Sequence, residues 1–110
     1  MAKGAEETLG DRIRSGLVIT KHGHSAPSLT KSIFKQMESS HPIPDESSLA
    51  AGAALLTFLD ELPEDEPLLF LLSGGASSLV EVLPPEMSLE KLAQLNSRWM
   101  ASGQDISEMN

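Results

Sequence analysis

The run Leu68–Leu72 (Leu-Leu-Phe-Leu-Leu) stops abruptly at Ser73-Gly74-Gly75 and continues as Ala76-Ser77-Ser78-Leu79. No other stretch narrows the fold as much. The run is far shorter than the ~20 residues a membrane-spanning helix requires, and it lacks the polar alternation of a half-exposed strand. It therefore predicts a strand buried on both faces, as in parallel sheets. In an open α/β sheet, ligands bind beyond the carboxyl ends of the strands, where glycines let backbone N–H groups approach an anion closely.

Ser73, Gly74, Gly75, Ala76, Ser77 and Ser78 are thus candidates for a cradle that holds a phosphate or carboxylate through the N–H groups of Gly74, Gly75 and Ala76 and the hydroxyls of Ser73, Ser77 and Ser78. The lysine-bearing GxxxxGK[ST] pattern of nucleoside triphosphatases is absent. A plain strand-to-helix turn uses two glycines equally well, and the residues alone leave both readings open.

The other elements alternate between strand and helix signals. Residues 2–15 read as a helix ended by Gly16. Leu17–Thr20 reads as a buried strand delivering Lys21-His22-Gly23-His24, and Ser32–Met37 as a weaker strand ending near Glu38-Ser39-Ser40. His41-Pro42-Ile43-Pro44 forbids regular structure, and Asp45 then stands where a helix N-cap belongs. The following helix carries Leu49, Ala53, Leu56 and Leu59 until Pro63 stops it. Ser77–Val82 is a short helix or turn. Ser88 caps a second clear helix with Leu89, Leu92, Leu95 and Trp99 at helical spacing, closed by Ser102-Gly103. Asp105–Asn110 reads as the start of another helix without a body, as though the chain were a piece of something longer. Strands alternating with helices give an α/β fold with a mostly parallel sheet covered by helices.

With aromatic residues at 4%, the core must be largely aliphatic, with Phe34, Phe58, Phe70 and Trp99 expected in it. The net charge of −8 is uneven: residues 1–37 carry +3 and residues 38–110 carry −11. This balance argues against nucleic acid or an acidic membrane as partner. There is no cysteine, so disulfides and thiolate ligands are excluded. No signal peptide or membrane span is visible, and a cytoplasmic location is the expectation.

Two further groups could carry chemistry. His41, Asp45 and Glu46 surround a stiff proline-bound loop that could fix a carboxylate against Mg²⁺ or a substrate hydroxyl, although by residue type alone the helix cap is the favoured reading of Asp45. His22 and His24 lack a third ligand for zinc, and no metal site is assigned.

Taken in order, GLVITKHGH (16–24), SSHPIPDESS (39–48), LLFLLSGGASSL (68–79) and SGQDISEMN (102–110) resemble the MOFRL-type, or class II, glycerate kinases, some of which carry an older hydroxypyruvate reductase name. The resemblance spans nearly the whole chain. It implies a Rossmann-like α/β sandwich, here incomplete, with residues 1–110 forming part of the amino-terminal domain. It also implies transfer of the γ-phosphoryl group of ATP to D-glycerate with Mg²⁺ as cofactor. By the same resemblance Ser73, Gly74, Gly75, Ala76 and Ser77 form the phosphate or glycerate cradle. His41 and Asp45 become cleft residues, and Glu108 and Asn110 lead toward an arginine motif.

That arginine motif would begin beyond Asn110, and the family's Gly-Lys-Ala turn would precede Met1; Lys3 is not its equivalent. Ala76 stands where the family has a third glycine, and Ser78 where it has alanine. The fragment alone is therefore expected to be inactive, and to self-associate as a homo-oligomer through exposed edges. The alternatives are a noncatalytic module binding a sugar acid or phosphate, and a hydroxypyruvate reductase. The latter would be expected to show GxGxxG after a strand, which is missing.

Overall fold

The computed structural model describes residues 1–29 and 32–103. Two strands, β1 (Gly16–Lys21) and β2 (Phe34–Ser39), pair in parallel, with Gly16 opposite Phe34 and Lys21 opposite Ser39. Helix α1 (Ala2–Leu9) and a 3₁₀ turn (Gly10–Arg12) precede β1, and α2 (Glu46–Asp60) follows β2 and packs against both strands. The one-turn helix α3 (Ala76–Leu79) touches α2 and β1, and α4 (Leu89–Ser102) closes the described chain. The fold is thus a small parallel sheet flanked by helices, in agreement with the α/β expectation.

The strongest local signals produce the elements they predict. Asp45 is the N-cap of α2: its carboxylate accepts from Ser47 N–H at 2.8 Å, while Ser48 Oγ accepts from Asp45 N–H at 3.1 Å. This reciprocal arrangement satisfies orphan donors at both residues. Ser88 Oγ accepts from Lys91 N–H at the start of α4, and Gly103 ends that helix in the left-handed region at φ 70°.

The first helix is shorter than the sequence predicts. Gly10, at φ 54°, breaks it after Leu9, and Gly16 opens β1 instead of closing a helix. A β-carbon at Gly16 would collide with the Phe34 ring on the paired strand. The second strand also begins and ends two residues later than Ser32–Met37, at Phe34 and Ser39.

Leu68–Leu72 departs further from expectation. These residues form no regular element and have no ladder partner among the described residues, and all five are 45–68% exposed. Apolar character marks a segment for burial but does not supply the neighbour that buries it. The run borders an open apolar cavity of about 340 Å³, between α1, β1 and α2, lined in part by Leu17, Ile19, Leu55 and Phe58. Ala51 is the one fully buried apolar side chain among the described residues. Of the aromatics expected in the core, Phe70 is exposed and Phe34, Phe58 and Trp99 are half-buried. The Cα radius of gyration is 15.8 Å, against ~13 Å for a compact chain of this length.

Candidate functional site

The polar site lies beyond the carboxyl ends of β1 and β2, and its glycine turn adjoins the apolar cavity, whose lining includes Ser73 and Ala76. Because the strands run in register to Lys21 and Ser39, the chain leaves both at one level. His22 N–H extends the ladder to Ser39 O at 3.1 Å, and Gly23, at φ 78°, turns the chain so that His24 N–H reaches Lys21 O. The loop then folds back over β2. Gln36 holds it with a reciprocal pair, its amide oxygen accepting from Ala26 N–H at 2.8 Å and its nitrogen donating to Ala26 O at 3.0 Å.

Two carboxylates border His22. Glu38 accepts from Ser25 Oγ at 2.8 Å and lies 3.7 Å from His22 Nδ1. The Ser25 hydroxyl, backbone N–H groups of Gly23 and Ser25, and the nearby imidazole hold its carboxyl below the ordinary glutamate range. Asp45 is held below the ordinary aspartate range chiefly by the Ser47 hydroxyl, then by the N–H groups at the start of α2 and by His22. Among the described residues, no three His, Asp or Glu side chains gather as a metal site.

After β2, Ser40 Oγ donates to Ile43 O at 2.7 Å and shapes the proline loop, in which the His41–Pro42 peptide is cis. The His41 ring lies against Gly75: a β-carbon built there would sit 2.8 Å from Cδ2 and closer still to Nε2. Gly75 is also left-handed, at φ 82° and ψ 3°, where it caps α3. Two independent constraints therefore demand glycine at this position. Of the predicted cradle, Ser73, Gly74, Gly75 and Ser77 are exposed and Ala76 is half-buried.

The structure thus brings His41 and the Ser73–Ser77 turn together. Asp45 is committed to the start of α2, its Oδ1 engaged by both the N–H and the hydroxyl of Ser47. Glu108 and Asn110 lie outside the described residues. Lys3 is occupied by Glu6 and Ser28 O, each at 2.9 Å.

Two contributors, Ser39 and Ser48, have no role in the sequence reading, and Ser78, expected as a cradle hydroxyl, is buried instead; the three are 0%, 0% and 6% exposed. Ser48 Oγ donates to Ser78 O at 2.7 Å, Ser39 Oγ to Leu79 O at 2.6 Å, and Ser78 Oγ to Gly75 O at 2.9 Å. The serine pairs flanking the proline loop and following the glycines are the one sequence signal that could have marked them.

Comparison with known proteins gives these residues a family context. The whole chain, residues 1–110, matches the model of the family described as Domain of unknown function (DUF4147). The D-glycerate 2-kinase of Thermotoga maritima is 44% identical over 110 residues, covering 100% of this chain and 26% of the relative. An Agrobacterium vitis relative with a provisional hydroxypyruvate reductase name is 36% identical over 110 residues, covering 100% of this chain and 28% of the relative. A crystal structure of glycerate kinase from Thermotoga maritima superposes with a TM-score of 0.85 at 44% identity, over 98% of this chain and 26% of that one. The chain spans about a quarter of the length of the curated relatives it matches. It belongs to the DUF4147 family.

Proposed function

We propose, from membership of this family and from the site geometry, that the chain forms one wall of the substrate cleft in an ATP-dependent kinase of D-glycerate. The observation that carries this reading is the packing of His41 against Gly75, which joins the proline loop and the glycine turn at the carboxyl end of a parallel sheet. It is supported by the glycerate kinase names of relatives that match the full chain.

Phosphoryl transfer depends on positioning and electrostatic stabilisation more than on covalent catalysis. In this reading the N–H groups of the glycine turn, with Ser73 and Ser77, bind the phosphate or carboxylate of the substrates, and His41 fixes the turn from below. Asp45 acts through the fold, by anchoring the start of α2. ATP and Mg²⁺ belong to the proposal for the full-length protein through the sequence resemblance. Among the described residues no three candidate ligands converge, and Asp45 Oδ1 is already engaged by Ser47, so no Mg²⁺ ligand is assigned to this chain. No step is assigned to the metal here.

The finer placement in the MOFRL-type class, and the inactivity of the isolated chain, are parts of the same proposal. The test is ATP-dependent phosphorylation of D-glycerate by the full-length protein and by residues 1–110. Turnover is expected from the first and none above the buffer blank from the second. A full-length protein that leaves D-glycerate unmodified overturns the kinase reading, and turnover by the isolated chain overturns its inactivity.

A further inference from the structure

The buried serines lie between the two halves of the candidate site, and they are spent on one task. Each hydroxyl has a single hydrogen, and in each case a backbone carbonyl of the Gly75–Leu79 turn takes it. The 3.3 Å approach of Ser39 Oγ to Ser48 Oγ is consequently secondary. Ser48 adds a second tie through its own carbonyl, which accepts from Glu81 N–H at 3.0 Å. With Ala51 the one fully buried apolar side chain among the described residues, these short polar links carry much of the attachment between the turn and its support.

We propose that Ser39 and Ser48 are positioning residues, hydroxyl clamps that lock the glycine turn to the end of β2 and the start of α2 and so fix its distance from His41. The proposal rests on the functional reading above only for what the turn binds. The two clamps are separable. Ser48→Ala removes a donor from Ser78 O and an acceptor from Asp45 N–H, weakening the α2 cap as well. Ser39→Ala removes the donor to Leu79 O and the secondary approach to Ser48 Oγ but leaves the bonds of the α2 cap in place, so it decides the matter where Ser48→Ala fails to fold.

The experiment compares both variants with Ser88→Ala, which loses a cap bond on α4, remote from the turn. In the full-length protein, amide hydrogen exchange at Ser78, Val80 and Glu81 is expected to quicken about tenfold or more in both serine variants and to stay unchanged in Ser88→Ala. For D-glycerate and ATP, kcat/KM is expected to fall about tenfold or more through a raised KM, because small misplacement of binding groups is costly. A merely structural role would lower thermal stability without moving KM in the folded enzyme. Unchanged exchange at all three amides overturns the proposal, as do unaltered kcat and KM alongside quickened exchange. A wild-type protein without kinase activity overturns the functional reading instead, and the exchange result alone then decides the clamp.

Discussion

Replacing Gly75 with alanine tests the junction of the two motifs directly. The backbone there, at φ 82° and ψ 3°, costs an L-residue ~1–2 kcal/mol. The new methyl would also meet the His41 ring, 2.8 Å from Cδ2, and such overpacking costs a further ~1–3 kcal/mol. Gly103, at φ 70° and ψ 18° with no atom of the described residues within 4 Å of a β-carbon built there, supplies the control. Gly103→Ala should incur only the backbone cost of ~1–2 kcal/mol.

Urea titration of the chain followed by far-UV circular dichroism gives each difference by linear extrapolation. Gly75→Ala is expected to destabilise by about 2–5 kcal/mol, the sum of the backbone and overpacking costs. In a double-mutant cycle, His41→Ala should restore ~1–3 kcal/mol of that loss, because truncating the ring removes the collision while leaving the backbone strain. Equal costs at Gly75 and Gly103, or no coupling between Gly75 and His41, would refute the contact that joins the site.

Two further outcomes follow from the same packing. Alanine normally stabilises a helix interior over glycine by ~0.5–1 kcal/mol, but Gly52 faces the Glu81 carbonyl, whose carbon would lie 2.9 Å from a new methyl; Gly52→Ala should therefore destabilise by ~1–3 kcal/mol in thermal or urea unfolding, and a stabilised variant would exclude that close approach. Glu38 and Asp45 are held below their ordinary carboxyl ranges by hydrogen bonds to the ionised form, so their contribution to stability is complete above the unfolded carboxyl range of about 4 and is lost as pH falls through the lower folded values. Unfolding measured from neutral to acid pH should show this loss, and Glu38→Gln should flatten it; a parallel pH profile for the variant counts against the Ser25 and His22 environment of Glu38.

The sequence made some features legible because their causes are local. Asp45 before an apolar helical stripe, and Ser88 and Gly103 at either end of another, specify helix boundaries through bonds made within a few residues. The β-branched run Val18-Ile19-Thr20 marked β1 in the same way. Gly16 misled, because its small size serves the Phe34 ring across the sheet and not the end of a helix. Leu68–Leu72 announced an appetite for burial, yet pairing depends on distant chain, and none of the described residues supplies it. For the site, the glycine turn and the proline loop were visible separately. Their meeting through His41 was not, since the turn is held beside the proline loop by bonds from Ser39 and Ser48 to residues distant in the chain. Ser39 and Ser48 were the least legible, because serine is ordinarily a surface residue and its value here comes entirely from carbonyls 30–40 positions away.

The hydrogen accounting at the three buried serines also bears on reactivity. An oxygen nucleophile needs an accessible lone pair and a base to take its proton. Ser39, Ser48 and Ser78 are shut away from solvent, with their protons already committed to amide carbonyls, which are poor bases. Acyl- or phosphoseryl chemistry at these positions is thereby disfavoured, however suggestive a serine-rich motif looks on paper. Ser73 and Ser77, on the open side of the same turn, are the hydroxyls left at liberty to meet a ligand. One residue type is divided by a single layer of backbone into mortar on the inside and reagent on the outside.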